Sequence, residues 1–537
     1  MSLRPASGPA LARTALALAP VLVLTGCGTA GGETGSPSDG GTLAFALAAD
    51  PSCVDPQQSG NNQALNVGRQ VVDSLTDQDP ETGEIVPWLA EDWEVSDDAD
   101  EYTFHLRDGV TFSDGEPLDA EAVRANFDTV SELGALAELG SSYLGGYAGT
   151  EVHDDLSLTV RFDDPNAQFL QATSTMSLGL VSPVSLEETT PEQRCQGEYE
   201  GSGPFTLDSY EPEQQVTTTA REDYDWSSER TEHTGPARLD GIDFRIVPES
   251  GVRTGALLSG EVDAIADIPP QDEERFEGDD VQVLTRPNPG IPFNLHPNLA
   301  SPTFDDPAIV QALQLAVDRQ EIVDTVLSER YPVAAGPLAE VTDHAAGTGD
   351  GLQHDPEAAA ELLDEAGWTE GGDGVRTKDG EPLELDVIFS PLFNANETVL
   401  ELLQQQFRDL GVDLELRSMT PAEYDTVQQD GDYDLAWYNL TRTDPDVLRT
   451  LFHTEYADRT GLGEEDELDA LLADQAATSD PGERADLVEQ AESHIIEEGY
   501  IVPVFEFAQI HGLGQHVHGV EFEASSRLSF YEAWTED

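Results

Sequence analysis

IVPWLAEDWEVSDDADEYTFHLRDGVTFSDGEPLDAEAVRANF stands at residues 85–127. Inside it, residues 101–112 read EYTFHLRDGVTF, with Tyr102, Phe104 and Leu106 recurring at every second position. A strand turns successive side chains to opposite faces, so this spacing predicts a strand with one buried face. Asp114-Gly115 supplies the turn that follows. Downstream, residues 156–162 (LSLTVRF) alternate in the same way and predict a second strand. Helix signals come later. Asp306 and Pro307 open a helix whose apolar face is Leu313, Val317, Val323, Val326 and Leu327. Asp355-Pro356 opens another through Leu362 and Leu363, stopped at Gly367. Asp480-Pro481 opens a third, stopped at Gly499 before an apolar strand at 501–507. Asp at the cap satisfies free backbone N–H groups, Pro in the first turn forfeits no hydrogen bond, and Gly ends the helix without strain. Strand and helix signals alternate without a fixed period. That predicts an α/β or α+β body and excludes a repeat array.

The chain has 537 residues, of which 107 are acidic and 25 basic, for a net charge of -82. It is long enough for several domain-sized units and a large core. Lys378 is the only lysine. So many carboxylates exclude partners bound through general attraction to phosphate, both nucleic acids and anionic lipid surfaces. They also repel one another unless salt screens them, and at molar salt the Debye length is about 3 Å. The reading is a salt-adapted extracytoplasmic protein; the plainer alternative is acidic drift in an exported one.

The first 41 residues read as an address. Arg4 and Arg13 flank the start of a short apolar run at 11–24, too short for a permanent membrane span. The run ends in Leu24-Thr25-Gly26-Cys27, the form of a lipobox. A signal peptide at 1–26, lipidation at Cys27 and a flexible Gly/Ser tether at 27–41 are therefore expected, hanging the body outside the cell. Cys53 and Cys195 remain. In an oxidising compartment they pair as a disulfide or stand as two separate buried thiols.

A search for chemistry finds no phosphate loop, zinc helix, C-x-x-C pair or G-x-S-x-G elbow. Asp77, Asp79, Glu81 and Gly83 faintly suggest a calcium loop, but Trp88 stands where the twelfth-position glutamate belongs, so the segment reads as an acidic turn. His511, His516 and His518 are possible nickel or zinc ligands, or simply exposed histidines. Nothing nominates a catalytic residue.

Several blocks, taken together, resemble the family 5 extracellular solute-binding proteins, the oligopeptide-, dipeptide- and nickel-binding group of ABC importers. They are residues 85–127, Gly201-Ser202-Gly203-Pro204-Phe205, residues 304–337, PEAAAELLDEAGW at 356–368, DLAWYNLTRTDPDVLRTLF at 434–452, and 501–505, in family order. The resemblance implies an α/β periplasmic-binding-protein-like fold of type II: two lobes, a hinge between them and an extra domain. It places lobe one at 42–64, 197–288 and 500–537, the extra domain at 65–196 and lobe two at 289–499. The crossing paths would lie near 288–293 and 499–503. It implies a receptor without catalytic residue, cofactor or resident metal. Such a receptor binds a peptide or similar small solute, acts as a monomer, and serves a membrane permease and its ATPase.

In the family's peptide binders an aspartate stands four residues before the proline of a D-P or E-P motif and pairs with the ligand's amino group. Counting back from Pro445 gives Thr441, which is neutral, followed by Arg442, whose guanidinium suits a carboxylate or phosphate. The candidate pocket residues are Tyr438, Asn439, Leu440, Thr441 and Arg442, with Phe293 and Asn294 opposite; alternation assigns Trp437 to the core. The alternatives are a metal-chelate receptor of the same family, an adhesion or signalling lipoprotein, and a secreted hydrolase.

Overall fold

The computed structural model describes residues 37–276, 278, 281–372, 374–454, 461–462 and 466–536. The expected signal peptide, Cys27 and the tether up to residue 36 lie outside the described residues. The body begins at Ser38, four residues earlier than expected. Ser38 Oγ donates to the Thr535 carbonyl at 2.7 Å, and the Gly40 amide to that of Arg238 at 2.7 Å. Hydrogen bonds to backbone carbonyls hold these small residues, a force their composition does not advertise.

Two large sheets organise the chain. The first has seven strands, in the order Val281–Pro287, Ala508–Gly514, Ala264–Ile265, Thr42–Leu47, Gly241–Ile246, Gln215–Ala220 and Phe205–Glu211. Its middle strand, TLAFAL, runs parallel to Gly241–Ile246, and all but its first residue are buried. A strand covered on both faces reads as a continuous apolar run, as this one does. The second sheet has five strands, in the order Asp413–Ser418, Glu384–Phe389, Leu435–Thr441, Gly290–Pro297 and Val502–Phe505.

A third, four-stranded antiparallel sheet is built from the opening stretch: Ala90–Val95, Glu101–Leu106, Ser157–Phe162 and Tyr147–Asp154. Tyr102, Phe104 and Leu106 are buried as their alternation predicts. The rings of Tyr102, Phe104, Phe127 and Phe162 meet that of Phe169 at centroid distances of 5.0, 6.3, 5.8 and 4.8 Å. Each such edge-on pair adds about 0.5–1.5 kcal/mol to simple burial. The helix Ala120–Leu133, capped by Asp119, supplies Phe127.

Two helices follow their start signals closely. Asp355 caps Pro356–Glu365 and Asp480 caps Pro481–Glu497. The helix expected from Pro307 breaks in two, Ala308–Ala316 and Arg319–Thr325. The reason is Asp318, whose carboxylate accepts the Glu321 amide at 2.9 Å and so starts a second helix inside an unbroken apolar pattern.

The chain passes between the two large sheets twice. The first path is at 288–289, between Val281–Pro287 and Gly290–Pro297. The second was expected at 499–503 and lies instead at Glu506 and Phe507, because Val502–Phe505 still pairs with Gly290–Pro297 in the second sheet. The expected lobe-one segment 500–537 therefore starts too early. Both flanking strands are apolar, so composition could not mark the change of sheet.

Glu506 is a buried acid on that path. One carboxylate oxygen accepts the Glu340 amide at 2.9 Å, and the other has no partner among the described residues. Burial pushes its carboxyl up to about 7, and the Glu340 charge adds to the rise. The folded chain thus keeps a proton that the unfolded chain releases near the ordinary value of 4.5. This group's contribution to stability is complete below that value and is lost as pH rises through about 7. Glu506→Gln is expected to raise the melting temperature at pH 8 and to leave it little changed at pH 4.5, in fixed molar salt. An equal change at both pH values would contradict the buried-proton account.

Candidate ligand-binding site

Phe293 is the centre of an aromatic wall where the second sheet faces the crossing paths. Its ring lies nearly parallel to Trp437, Phe505 and Phe393, at 5.2, 4.9 and 5.7 Å, and meets Phe507 edge-on at 5.8 Å. The Trp437 indole N–H donates to Asn396 Oδ1 at 2.9 Å, fixing its plane. Against this wall opens a cavity of about 370 Å3, within the usual size for small-solute sites. Phe293, Phe393, Trp437, Tyr438, Asn439 and Phe507 line it, and Asn62 closes it from the helix Asn62–Val71. Leu392, 79% exposed, sits at its mouth. A second space of about 140 Å3 continues past Phe393 and Phe507 to Ala48, Asp267 and Ile510 beside the first sheet. The arrangement can hold a partly apolar molecule with a few polar contacts. Among the described residues that line it, no nucleophile–base pair is hydrogen-bonded.

Tyr438 stacks flat on His296, 3.8 Å between centroids and 8° between planes. Burial holds His296 down to about 3, so its ring is neutral and serves as a platform. The Thr441 hydroxyl accepts the Asn288 side-chain amide at 2.7 Å, which ties the strand Leu435–Thr441 to the first crossing path.

The structure brings together only part of the sequence-derived set. Phe293, Tyr438 and Asn439 line the large cavity, while Thr441 and Arg442 lie further along the same seam beside a smaller one. Leu440 is turned away and joins Ile291, its cross-strand partner, in a core cluster. Asn294 is completely buried within the sheet, its amide donating to the Pro292 carbonyl. Trp437, assigned to the core, is buried yet lends an edge to the cavity. Phe393, Phe507 and Asn62 were missed. Phe507 stood at the end of the strand expected at 501–507, which in the structure stops at Phe505; Phe393 lies in a loop, and Asn62 is a polar residue at the start of a helix, where it reads as a cap or a surface position.

The three C-terminal histidines do not converge. His511 is buried against Phe45 and Phe522, His516 meets Asp263 at 2.9 Å, and His518 meets Glu536 at 3.2 Å. Asp79 spends its carboxylate on the amides of Glu81 and Thr82, at 2.9 and 2.8 Å, as an acidic turn does.

The model of the bacterial extracellular solute-binding proteins, family 5 Middle, matches residues 84–459. The nickel-binding periplasmic protein of Escherichia coli (strain K12) is 25% identical over 437 residues, covering 79% of this chain and 81% of its own. Di/tripeptide-binding protein 1 of Pseudomonas aeruginosa (strain UCBPP-PA14) is 25% identical over 533 residues, covering 91% and 93%. The crystal structure of NikA from Brucella suis in complex with Fe(III)-EDTA superposes with a TM-score of 0.80 at 25% identity, covering 92% of this chain and 100% of that one. The two sheets joined by paired crossings and the matched segment agree: the chain belongs to the bacterial extracellular solute-binding proteins, family 5, the two-lobed substrate-binding proteins of ABC importers.

Proposed function

We propose that this protein is a lipid-anchored receptor that captures a peptide or similar small solute between two lobes and hands it to a membrane permease. The observation that carries the reading is the aromatic cavity of about 370 Å3 at the crossing paths, walled by one sheet and capped by Asn62. Lobe one would comprise 38–64, 197–288 and 506–537, the extra domain 65–196 and lobe two 289–505. No reactive group is needed, because the ligand touches both lobes only when they close, and binding therefore shifts the population towards the closed form. Cys27 would carry the lipid, and the body would act as a monomer on the outer face of the membrane.

Mass spectrometry of small molecules released by denaturing the Cys27→Ser protein, purified in molar salt, tests this. One chemical class of solute, near one molecule per chain, is expected; no released solute, together with no stabilisation by any peptide or small acid tested, would overturn it.

The net charge of -82 supports a salt-adapted setting. The melting temperature is expected to climb steeply between low and molar NaCl as screening relieves carboxylate repulsion. A flat profile would remove that part of the reading.

A further inference from the structure

Arginine is scarce in this chain, and among the described residues most arginines sit on a carboxylate. Arg442 and Arg527 do not: neither has an ion pair within 4 Å among the described residues. Arg442, just past the strand Leu435–Thr441, donates Nη1 to the Thr441 carbonyl at 3.0 Å and lies over the Tyr143 ring at 5.6 Å. Arg527, in the C-terminal segment, is 3% exposed and donates Nη1 to the Ser525 carbonyl at 2.8 Å. Its Nε and the Ser525 hydroxyl are buried without hydrogen-bond partners among the described residues. The nearby Glu523 is engaged by Arg69 at 2.5 Å. Burial pushes Arg527 down to about 10, and the charge of Arg442 adds to that push. Two guanidinium groups thus border one space with donors to spare and, among the described residues, no carboxylate paired to either.

That space, about 20 Å3, is lined by Arg442, Arg527, Ser525, Tyr143, Thr441 and Leu65. It adjoins the aromatic cavity along two elements. On the strand, Tyr438 and Asn439 line the large cavity and Thr441 borders the small one; on the helix, Asn62 lines the large one and Leu65, about one turn on, the small one. The two spaces are thus bordered by neighbouring positions of one strand and one helix.

We propose that the solute carries a carboxylate, clamped between Arg442 of the second lobe and Arg527 of the first, while its apolar part lies against Phe293, Phe393 and Trp437. The inference rests on the receptor reading and names its substrate class. A planar carboxylate suits the narrow gap between planar guanidinium groups, and a charge-assisted bond to each is its strongest contact. The pair also gates closure. Without an anion, closing brings two like charges together in a buried place; with one, closing completes two ion pairs.

The test compares the Cys27→Ser protein with the same protein carrying Arg442→Gln or Arg527→Gln, all in molar salt. Released solutes are identified by mass spectrometry. Binding of four probes is then followed by thermal shift and calorimetry: the dipeptide Ala-Phe, its C-terminal amide, 3-phenylpropionate and phenyl phosphate. The expected result is a released solute bearing a carboxylate, affinity for at least one carboxylate probe, and at least a tenfold loss of it in either variant. Arg442 is only half-buried, so Arg442→Gln is expected to melt like its parent without ligand and keeps the test valid if Arg527→Gln folds poorly. The proposal is overturned by a solute without a carboxylate, by equal binding of Ala-Phe and its amide, by preference for phenyl phosphate, or by unchanged affinity in Arg442→Gln. Release of no solute and binding of no probe overturns the receptor reading as well, so the two failures are told apart.

Discussion

Arg484→Ala is expected to lower the unfolding free energy by about 3–5 kcal/mol, the usual cost of stranding one partner of a buried ion pair. Arg484 grips Asp444 with two bonds, at 2.8 and 2.6 Å, and both groups are almost wholly buried. Its Nε and Nη2 also donate to Gln475 Oε1 at 3.1 and 3.0 Å. Gln475 in turn donates to Asp446 at 2.5 Å, and Asp446 is held by Arg449 through two bonds of 2.8 Å. Removing Arg484 leaves the buried Asp444 without its cation and frees the amide that orients Asp446. The effect reaches further, because Gln168 donates to Asp446 at 2.8 Å and the Ala167 amide to the Ala476 carbonyl at 2.8 Å. These bonds tie the segment after the four-stranded sheet to the helices Val447–Phe452 and Asp466–Ala476. Urea unfolding in molar NaCl measures the loss. Adding Asp444→Leu to Arg484→Met should recover part of it, since an uncharged pair leaves no buried charge unpaired. A loss below about 1 kcal/mol for Arg484→Ala would show that water reaches Asp444.

Breaking the disulfide between Cys53 and Cys195 is the second large effect. The two residues lie 142 positions apart. In the chain-entropy model, closing a loop of that length disfavours the unfolded chain by about 5 kcal/mol. The folded ends are held independently: the Val54 amide donates to the Cys195 carbonyl at 3.1 Å, and Arg194 pairs with the buried Asp55 at 3.1 Å. The folded geometry should therefore survive in Cys53→Ser/Cys195→Ser, and the loss should appear almost entirely as a shift of the unfolding equilibrium. Denaturant unfolding with and without reductant reads it directly, and coincident curves would mean that the reduced unfolded chain is already compact here.

Much of the fold was legible because it is written in local periods. The two-residue period of Tyr102, Phe104 and Leu106 is the buried face of a real strand. The Asp-Pro starts at 355 and 480 and the glycines at 367 and 499, both with positive φ, bound real helices. The ordered blocks carried the family. The break at Asp318 was not legible, because an aspartate inside an apolar pattern reads equally well as a solvent-facing residue or as a cap.

The site was legible only in part. Counting back from Pro445 reached a strand that lines the aromatic cavity, and alternation along it separated Trp437 from Tyr438. It could not tell that the edge of Trp437 borders open space, because a ring large enough to fill a core also spans to its boundary. Phe393 enters the aromatic wall from a loop, where no period exists to reveal it, and Phe507 from a crossing path that the sequence reads as the end of a strand.

Local chemistry along the chain determined which segments are strands and helices, the acidic surface and the family, because each depends on neighbours a few residues apart. Only the tertiary structure decided which sheet takes Val502–Phe505, that Leu440 and Asn294 turn away from the cavity, and that Arg442 and Arg527, 85 residues apart in sequence, border one small space. Those are long-range pairings, selected by the total burial and hydrogen bonding of the folded chain rather than by any signal within one segment.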